Sequence, residues 1–178
     1  DRMSRNYKEE DKKNPVSIYG EHKALAEDEI LKIYPEALVL RLPLMFGSKE
    51  ASATNYLQRF IKQAGSGESV PLFYDEYRRI CGAKSISKGI LQLIGKNTGI
   101  VHIAGPQRLS RYDFGLKAAK AFGINEGVLL RVSQKDVKMA ANRPPDVSLN
   151  ISKAIALGYS PLMADEELAL IARNNYLD

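Results

Sequence analysis

Ala37-Leu38-Val39-Leu40-Arg41-Leu42 is a short, nearly continuous apolar run set between Pro35 and Pro43. It is too short for a stable helix and has no polar alternation. A strand buried on both faces of a parallel sheet has this pattern. Before it, Val16, Ile18, Leu25, Ala26, Ile30 and Leu31 recur at roughly helical spacing. Asn14 is a good N-cap, and Pro15 suits the first helical position, where its missing N–H is not needed. The spacing therefore predicts a helix over 15–34, ended before Pro35. A helix feeding a buried strand is the unit of an α/β fold. The strand runs into Pro43 and reaches Gly47 through Leu44-Met45-Phe46. In open α/β sheets, ligands sit beyond the carboxyl ends of such strands.

The rest of the chain keeps the alternation. Residues 1–13 are polar and read as a surface loop. A helix is expected over 54–64, stopped by Gly65-Ser66-Gly67. A strand follows from Ser69 to Tyr74, then a loop Asp75-Glu76-Tyr77-Arg78-Arg79. The pattern gives a helix over 83–94 and a strand over 99–104 ended by Gly105-Pro106. Ser110 and Asp113 resemble a capping box opening a helix that closes at Gly123. A strand is expected around 128–132, and an extended loop at Asn142-Arg143-Pro144-Pro145-Asp146. Two short helices, 151–157 ended by Gly158 and 164–174, complete the chain.

Within the first helix, Tyr19 and Lys23 are four residues apart and share one face. An ammonium beside a phenol oxygen favours the phenolate. Such a tyrosine can exchange a proton with a substrate oxygen near neutral pH. By spacing alone, the pair reads rather as a solvated lysine covering a half-buried ring. No Gly-x-Gly-x-x-Gly follows a strand, and Gly65-Ser66-Gly67 follows a helix, so it is a turn and not a phosphate cradle. Zinc-ligand spacing, a phosphate-binding lysine loop and a nucleophile elbow are also missing. Of the two histidines, His22 lies on the exposed side of the first helix. His102 falls in an expected buried strand and reads as a hydrogen-bonded structural residue.

Composition adds exclusions. The 178 residues include one cysteine, Cys81, which rules out an internal disulfide and fits a free buried thiol in a reducing, cytoplasmic setting. No segment is apolar for long enough to span a bilayer, and no signal peptide leads the chain, so no membrane partner is expected. The net charge of +5 comes without an arginine-rich run or aromatic-basic alternation, so nucleic acid is not an expected partner. The chain begins at Asp1 without an initiating methionine, as a piece of a longer protein would.

Several landmarks stand in a familiar order. Asp1-Arg2-Met3-Ser4-Arg5-Asn6-Tyr7-Lys8-Glu9-Glu10-Asp11 is followed by Asn14 to Glu27, containing Tyr19-Gly20-Glu21-His22-Lys23. Next come Leu40-Arg41-Leu42-Pro43-Leu44-Met45-Phe46-Gly47, Gly99 to Gly105, and Leu109-Ser110-Arg111-Tyr112. Arg143-Pro144-Pro145-Asp146-Val147-Ser148-Leu149-Asn150 and Lys153 to Gly158 close the series. In this order the chain resembles the C-terminal part of an extended short-chain dehydrogenase/reductase. It is most similar to the dTDP-4-dehydrorhamnose reductase group of sugar-nucleotide reductases, over essentially its whole length.

The resemblance implies the C-terminal portion of a Rossmann-type doubly wound parallel sheet with a smaller α/β substrate-binding lobe. Residues 1–50 would end the NAD(P)-binding domain. Residues 51–178 would be mainly the substrate lobe, with a return to the main sheet near 84–105. The implied activity is NAD(P)-dependent reduction of a nucleotide-linked 4-keto sugar, as in dTDP-rhamnose biosynthesis. Tyr19 would be the proton donor, and Lys23 its partner and a contact for the nicotinamide ribose. Arg41, Leu42 and Pro43 would pass near the nicotinamide of NADP or NAD. Leu44 would face the substrate, and Arg78 and Arg143 would meet the diphosphate, for which the arginine fork is suited. Each arginine has a loop-tying ion pair as its alternative. A homodimer is compatible with the resemblance, since family members are often dimers. There are departures. The Gly-rich half and the catalytic Ser/Thr are absent. Leu44 stands where an aromatic residue is typical, Arg2 where glycine is usual, and Ser85 where an acid is frequent. Alternatives within the resemblance are a sugar-nucleotide epimerase or dehydratase, and a non-catalytic regulatory subunit like the beta subunit of methionine adenosyltransferase.

Overall fold

The computed structural model describes residues 6–47, 55–138 and 143–173. Its elements alternate as the sequence pattern requires. Helix α1 spans Ile18–Ile33 and leads into β1, Leu38–Arg41, then β2, Met45–Phe46. Helix α2, Tyr56–Gly65, precedes β3, Val70–Phe73. The short strands β4, Tyr77–Arg78, and β5, Cys81–Gly82, lead to α3, Ala83–Leu93, and β6, Gly99–His102. Strand β7, Leu109–Ser110, opens into α4, Arg111–Phe122, followed by β8, Leu129–Val132. Helices α5, Ser152–Ala156, and α6, Ala164–Arg173, come last.

The strands form four pairs. β1–β6, β2–β5 and β3–β8 are parallel, and β4–β7 is antiparallel. Parallel neighbours cannot be joined by a tight turn, so each pair is separated in sequence by helical crossovers. Apolar spacing decides the packing. Leu57, Phe60, Ile61 and Ala64 put one face of α2 into the larger core, with Val70 and Leu72 of β3, Phe114 and Ala118 of α4, and Leu168 of α6. The Phe46 and Phe114 rings meet there at 5.0 Å, tilted by 57°. A second core joins Cys81, Ile86, Leu93, Val101, Ile103, Ala154 and Tyr159 between α3, β6 and α5. Cys81 is the expected buried free thiol, pushed up to about 12 by burial.

Three expectations need correction. Helix α1 does not begin at Pro15: Ser17 is the N-cap, and its Oγ accepts the Gly20 N–H at 3.2 Å, which leaves Asn14 and Pro15 outside the helix. The loop expected over 75–79 contains β4 and is followed closely by β5. Strand β1 is half-buried at all four positions, not buried on both faces. Among the described residues it pairs only with β6, and α1 supplies no buried apolar side chain to cover it. Among the described residues no helix is long and apolar enough to cross a membrane. Arg2 and Asn142 lie outside the described residues, as does the end of the helix expected to reach residue 174.

Candidate functional site

Tyr19 and Lys23 stand one turn apart near the start of α1. Tyr19 is 73% exposed. The Lys23 ammonium lies 5.5 Å from the centroid of the Tyr19 ring. It makes no ion pair among the described residues. Both side chains therefore have donors free for an incoming ligand.

One turn beyond Lys23, Glu27 is the buried residue of α1. Its carboxylate takes the Arg41 fork in two bonds, Nη2 to Oε1 at 2.6 Å and Nε to Oε2 at 2.9 Å. Lys13 adds a contact to Oε1 at 3.3 Å, donates to the Ala24 carbonyl at 3.2 Å and pairs with Asp28. Hydrogen bonding from Arg41 holds the Glu27 carboxyl below its usual range, against burial, which acts the other way. The remaining Arg41 nitrogen, Nη1, lies 3.0 Å from His102 Nε2. The His102 Nδ1 lies 3.2 Å from the Asn150 carbonyl, and its backbone N–H donates to Glu9 Oε1 at 3.0 Å. Burial, the largest influence, pushes the imidazole below its ordinary value; Glu9 opposes and Arg41 reinforces. The guanidinium of Arg41 is thus committed inside the protein. Of its neighbours, Leu42 is exposed and Pro43 half-buried; Leu44 packs against the larger core, and its carbonyl accepts the Cys81 N–H at 3.2 Å.

A second cluster forms around Glu76, a buried carboxylate in the loop before β4. Glu76 Oε1 lies 3.4 Å from Arg78 Nη2, and Oε2 lies 4.0 Å from Arg143 Nη1. Gln134 donates to Oε2 at 2.9 Å. Arg78 also donates to the Tyr77 carbonyl at 2.7 Å and the Pro144 carbonyl at 3.1 Å, and burial lowers its pKa. Its guanidinium ties the loop, whereas the Arg143 side chain is 57% exposed and only loosely held. Nearby, Arg111 lies 3.8 Å from the centroid of the Tyr56 ring, and burial raises the Tyr56 phenol above its ordinary value against the pull of that arginine. Arg108 stacks on Tyr77 at 3.5 Å and pairs with Asp146 at 2.9 Å. Three arginines, Arg78, Arg111 and Arg143, therefore gather near one buried carboxylate, an arrangement that favours an anion.

The structure brings together Tyr19 with Lys23, and Arg78 with Arg143. Glu27, Glu9 and Glu76 were not singled out by sequence reasoning. Glu27 carried one signal: it repeats the four-residue step of Tyr19 and Lys23 along one helix stripe. Glu9 and Glu76 sit in polar stretches where a carboxylate gives no local sign of its partner.

A family model for the RmlD substrate binding domain matches residues 1–173. The chain is 28% identical over 164 residues to methionine adenosyltransferase 2 subunit beta of Danio rerio, covering 86% of this chain and 50% of that protein. It is 26% identical over 169 residues to a probable low-salt glycan biosynthesis reductase, Agl14, of Haloferax volcanii, covering 93% and 56%. The chain thus spans about half the length of the curated relatives it matches. Among solved structures, dTDP-4-dehydrorhamnose reductase of Bacillus anthracis, in complex with NADP, superposes with a TM-score of 0.85 at 18% identity, covering 97% of this chain and 60% of that one. A dTDP-glucose 4,6-dehydratase of the same organism, in complex with NAD, gives 0.78 at 15% identity, covering 96% and 56%. At these identities the superpositions show the fold, the C-terminal portion of a Rossmann-type α/β arrangement. One family model runs from before the Tyr19 helix to the end of α6, and the chain belongs to the RmlD substrate binding domain family.

Proposed function

We propose that the intact protein reduces a nucleotide-linked 4-keto sugar with NAD(P)H, and that Tyr19 is the proton donor. The observation that carries this reading is the exposed Tyr19–Lys23 pair, uncommitted to any ion pair among the described residues, on a helix fastened one turn further on by Glu27 and Arg41. A bound nicotinamide would supply the hydride to the carbonyl carbon. Tyr19 gives its phenolic proton to the carbonyl oxygen as charge develops there, and recovers a proton from solvent afterwards. Lys23, unpaired with any carboxylate among the described residues, stabilises the phenolate left behind and is free to donate to ribose hydroxyls. Arg143 is the better candidate for the diphosphate, because Arg78 is already tied to its loop. The cradle for the cofactor's pyrophosphate would come from sequence outside these residues.

A second reading is a regulatory subunit without turnover. The likeness to methionine adenosyltransferase 2 subunit beta and the apolar, core-packed Leu44 favour it. The test is NAD(P)H oxidation by the intact protein with dTDP-4-dehydrorhamnose, beside Tyr19→Phe. Substrate-dependent oxidation lost in Tyr19→Phe, with cofactor binding retained, supports the reductase. Lys23→Ala should weaken both. Cofactor binding with no turnover of this or related keto sugars supports the regulatory reading. Turnover unchanged in Tyr19→Phe removes Tyr19 from the mechanism.

A further inference from the structure

His102 and Arg41 face each other in register at the carboxyl ends of β6 and β1. A guanidinium has only N–H donors, so the 3.0 Å contact requires a lone pair on His102 Nε2. The single proton of a neutral ring then sits on Nδ1, 3.2 Å from the Asn150 carbonyl, which can only accept. One tautomer satisfies both contacts. They lead to different places. Arg41 continues to Glu27 and so to the helix of Tyr19 and Lys23. Asn150 ends the segment that begins at Arg143; within it, the Pro144 carbonyl holds Arg78 and the Pro145 carbonyl accepts the Tyr77 N–H at 2.7 Å. The same Asn150 donates its N–H to the Tyr7 carbonyl at 2.6 Å and caps the Ser152 N–H at 2.8 Å, which fixes its position.

We infer that His102 is a positioning residue that joins the Tyr19/Lys23 helix to the Arg143 segment, one ring nitrogen serving each. The inference rests on the proposed roles of Tyr19 and Arg143 for its effect on turnover, but not for the joint itself. Besides Arg41 from β1, the charged group against this histidine is Glu9 from the N-terminal segment, and the backbone of Tyr7 in that segment also hydrogen-bonds to the ring.

Two substitutions separate the two contacts. In His102→Gln the side-chain amide falls near the place of Nε2, where its oxygen can accept from Arg41, and nothing replaces Nδ1. In His102→Asn the amide falls near Nδ1 and can donate to the Asn150 carbonyl, and nothing replaces Nε2.

The first experiment is nitrogen-15 NMR of the imidazole in the intact protein, with amide hydrogen exchange of both variants. The expected result is an Nδ1-protonated ring. Exchange should rise in α1 but not over 146–150 in His102→Asn, and the reverse should hold in His102→Gln. With turnover established, kcat should fall on the order of tenfold in His102→Asn with KM for the sugar nucleotide kept, while KM rises in His102→Gln. An Nε2-protonated ring, or equal loosening of both segments in both variants, overturns the joint. The expected NMR and exchange results in a protein with no turnover uphold the joint and overturn the reductase reading instead.

Discussion

Glu27 and Arg41 do by charge what apolar burial does elsewhere in this chain. A two-bond carboxylate–guanidinium pair is stronger than a neutral contact and fixes orientation as well as distance. Removing one partner leaves the other desolvated. Glu27→Gln keeps the shape but loses the charge, and it should lower stability by about 2 kcal/mol. A urea titration should show a lower midpoint at unchanged slope. The pair and its histidine neighbour also set a pH dependence. His102 has a folded pKa below its unfolded value, so below about pH 6.5 the unfolded chain takes up that proton first. Stability is therefore full above that pH and declines as pH falls. Glu27, lowered from 4.5, adds a second loss at more acid pH. His102→Gln should remove the first decline and Glu27→Gln the second. A flat urea midpoint in the unsubstituted protein between pH 7 and 5 contradicts the His102 part. At this scale the sequence showed Tyr19 and Lys23, because their relation is local to one helix. It could not show that Arg41 is spent on Glu27, because that pairing exists only once β1 lies behind α1.

Helix α3 starts without a cap of its own, since Gly82 occupies the cap position and has no side chain. The acceptor comes from α6. Glu167 is buried and takes the Gly82 N–H at 2.7 Å with one oxygen and the Ser85 N–H at 3.1 Å with the other. A carboxylate there also suits the positive end of the helix. Ser85 in turn uses its Oγ to accept the Leu162 N–H at 3.2 Å, which ties the start of α3 to the segment before α6. A Cβ at Gly82 would stand 2.3 Å from the Glu167 carboxylate, which would have to leave its two N–H groups to make room. Glu167→Ala should cost about 3 kcal/mol by orphaning two buried N–H groups. Gly82→Ala should be destabilising alone, yet the double variant should cost less than the sum, because the clash disappears with the carboxylate. Strict additivity in urea denaturation would refute this account. Local chemistry explains which elements were legible. The Ser110/Asp113 box and Gly123 lie beside the helix they bound, and both were read correctly. Ser17 was hidden behind the more obvious Asn14-Pro15 signal. The two-residue strands β4 and β5 show no periodicity, and their partners, Leu109–Ser110 and Met45–Phe46, are distant in sequence.

Across the whole molecule, α1 differs from the other long helices. Helix α4 buries Phe114, Gly115, Ala118 and Ala119, whereas α1 buries only a glutamate. Its Ile18, Leu25, Ile30 and Ile33 are each at least 50% exposed, and β1 beneath it is half-buried throughout. Helices of this length gain most of their stability from packing one apolar face. Within these residues α1 is held mainly by the Glu27–Arg41–Lys13 contacts, so it should be the helix that opens most readily. The curated relatives are about twice as long as the chain, enough to cover that face. Amide exchange should therefore be faster in α1 than in α4 when the 178-residue chain is studied alone. It should slow to the level of α4 in a polypeptide of the relatives' length. The same comparison should show much tighter NAD(P)H binding by the longer form, because Lys23 and Tyr19 offer ribose contacts but no strand in this sequence leads into a glycine-rich phosphate turn. If α1 exchanges as slowly as α4 in the 178-residue chain, its ionic fastening is sufficient and the exposed apolar face needs no cover. In that case the Tyr19–Lys23 pair would be presented by a helix already rigid, and the gain in cofactor affinity would come from the phosphate site alone.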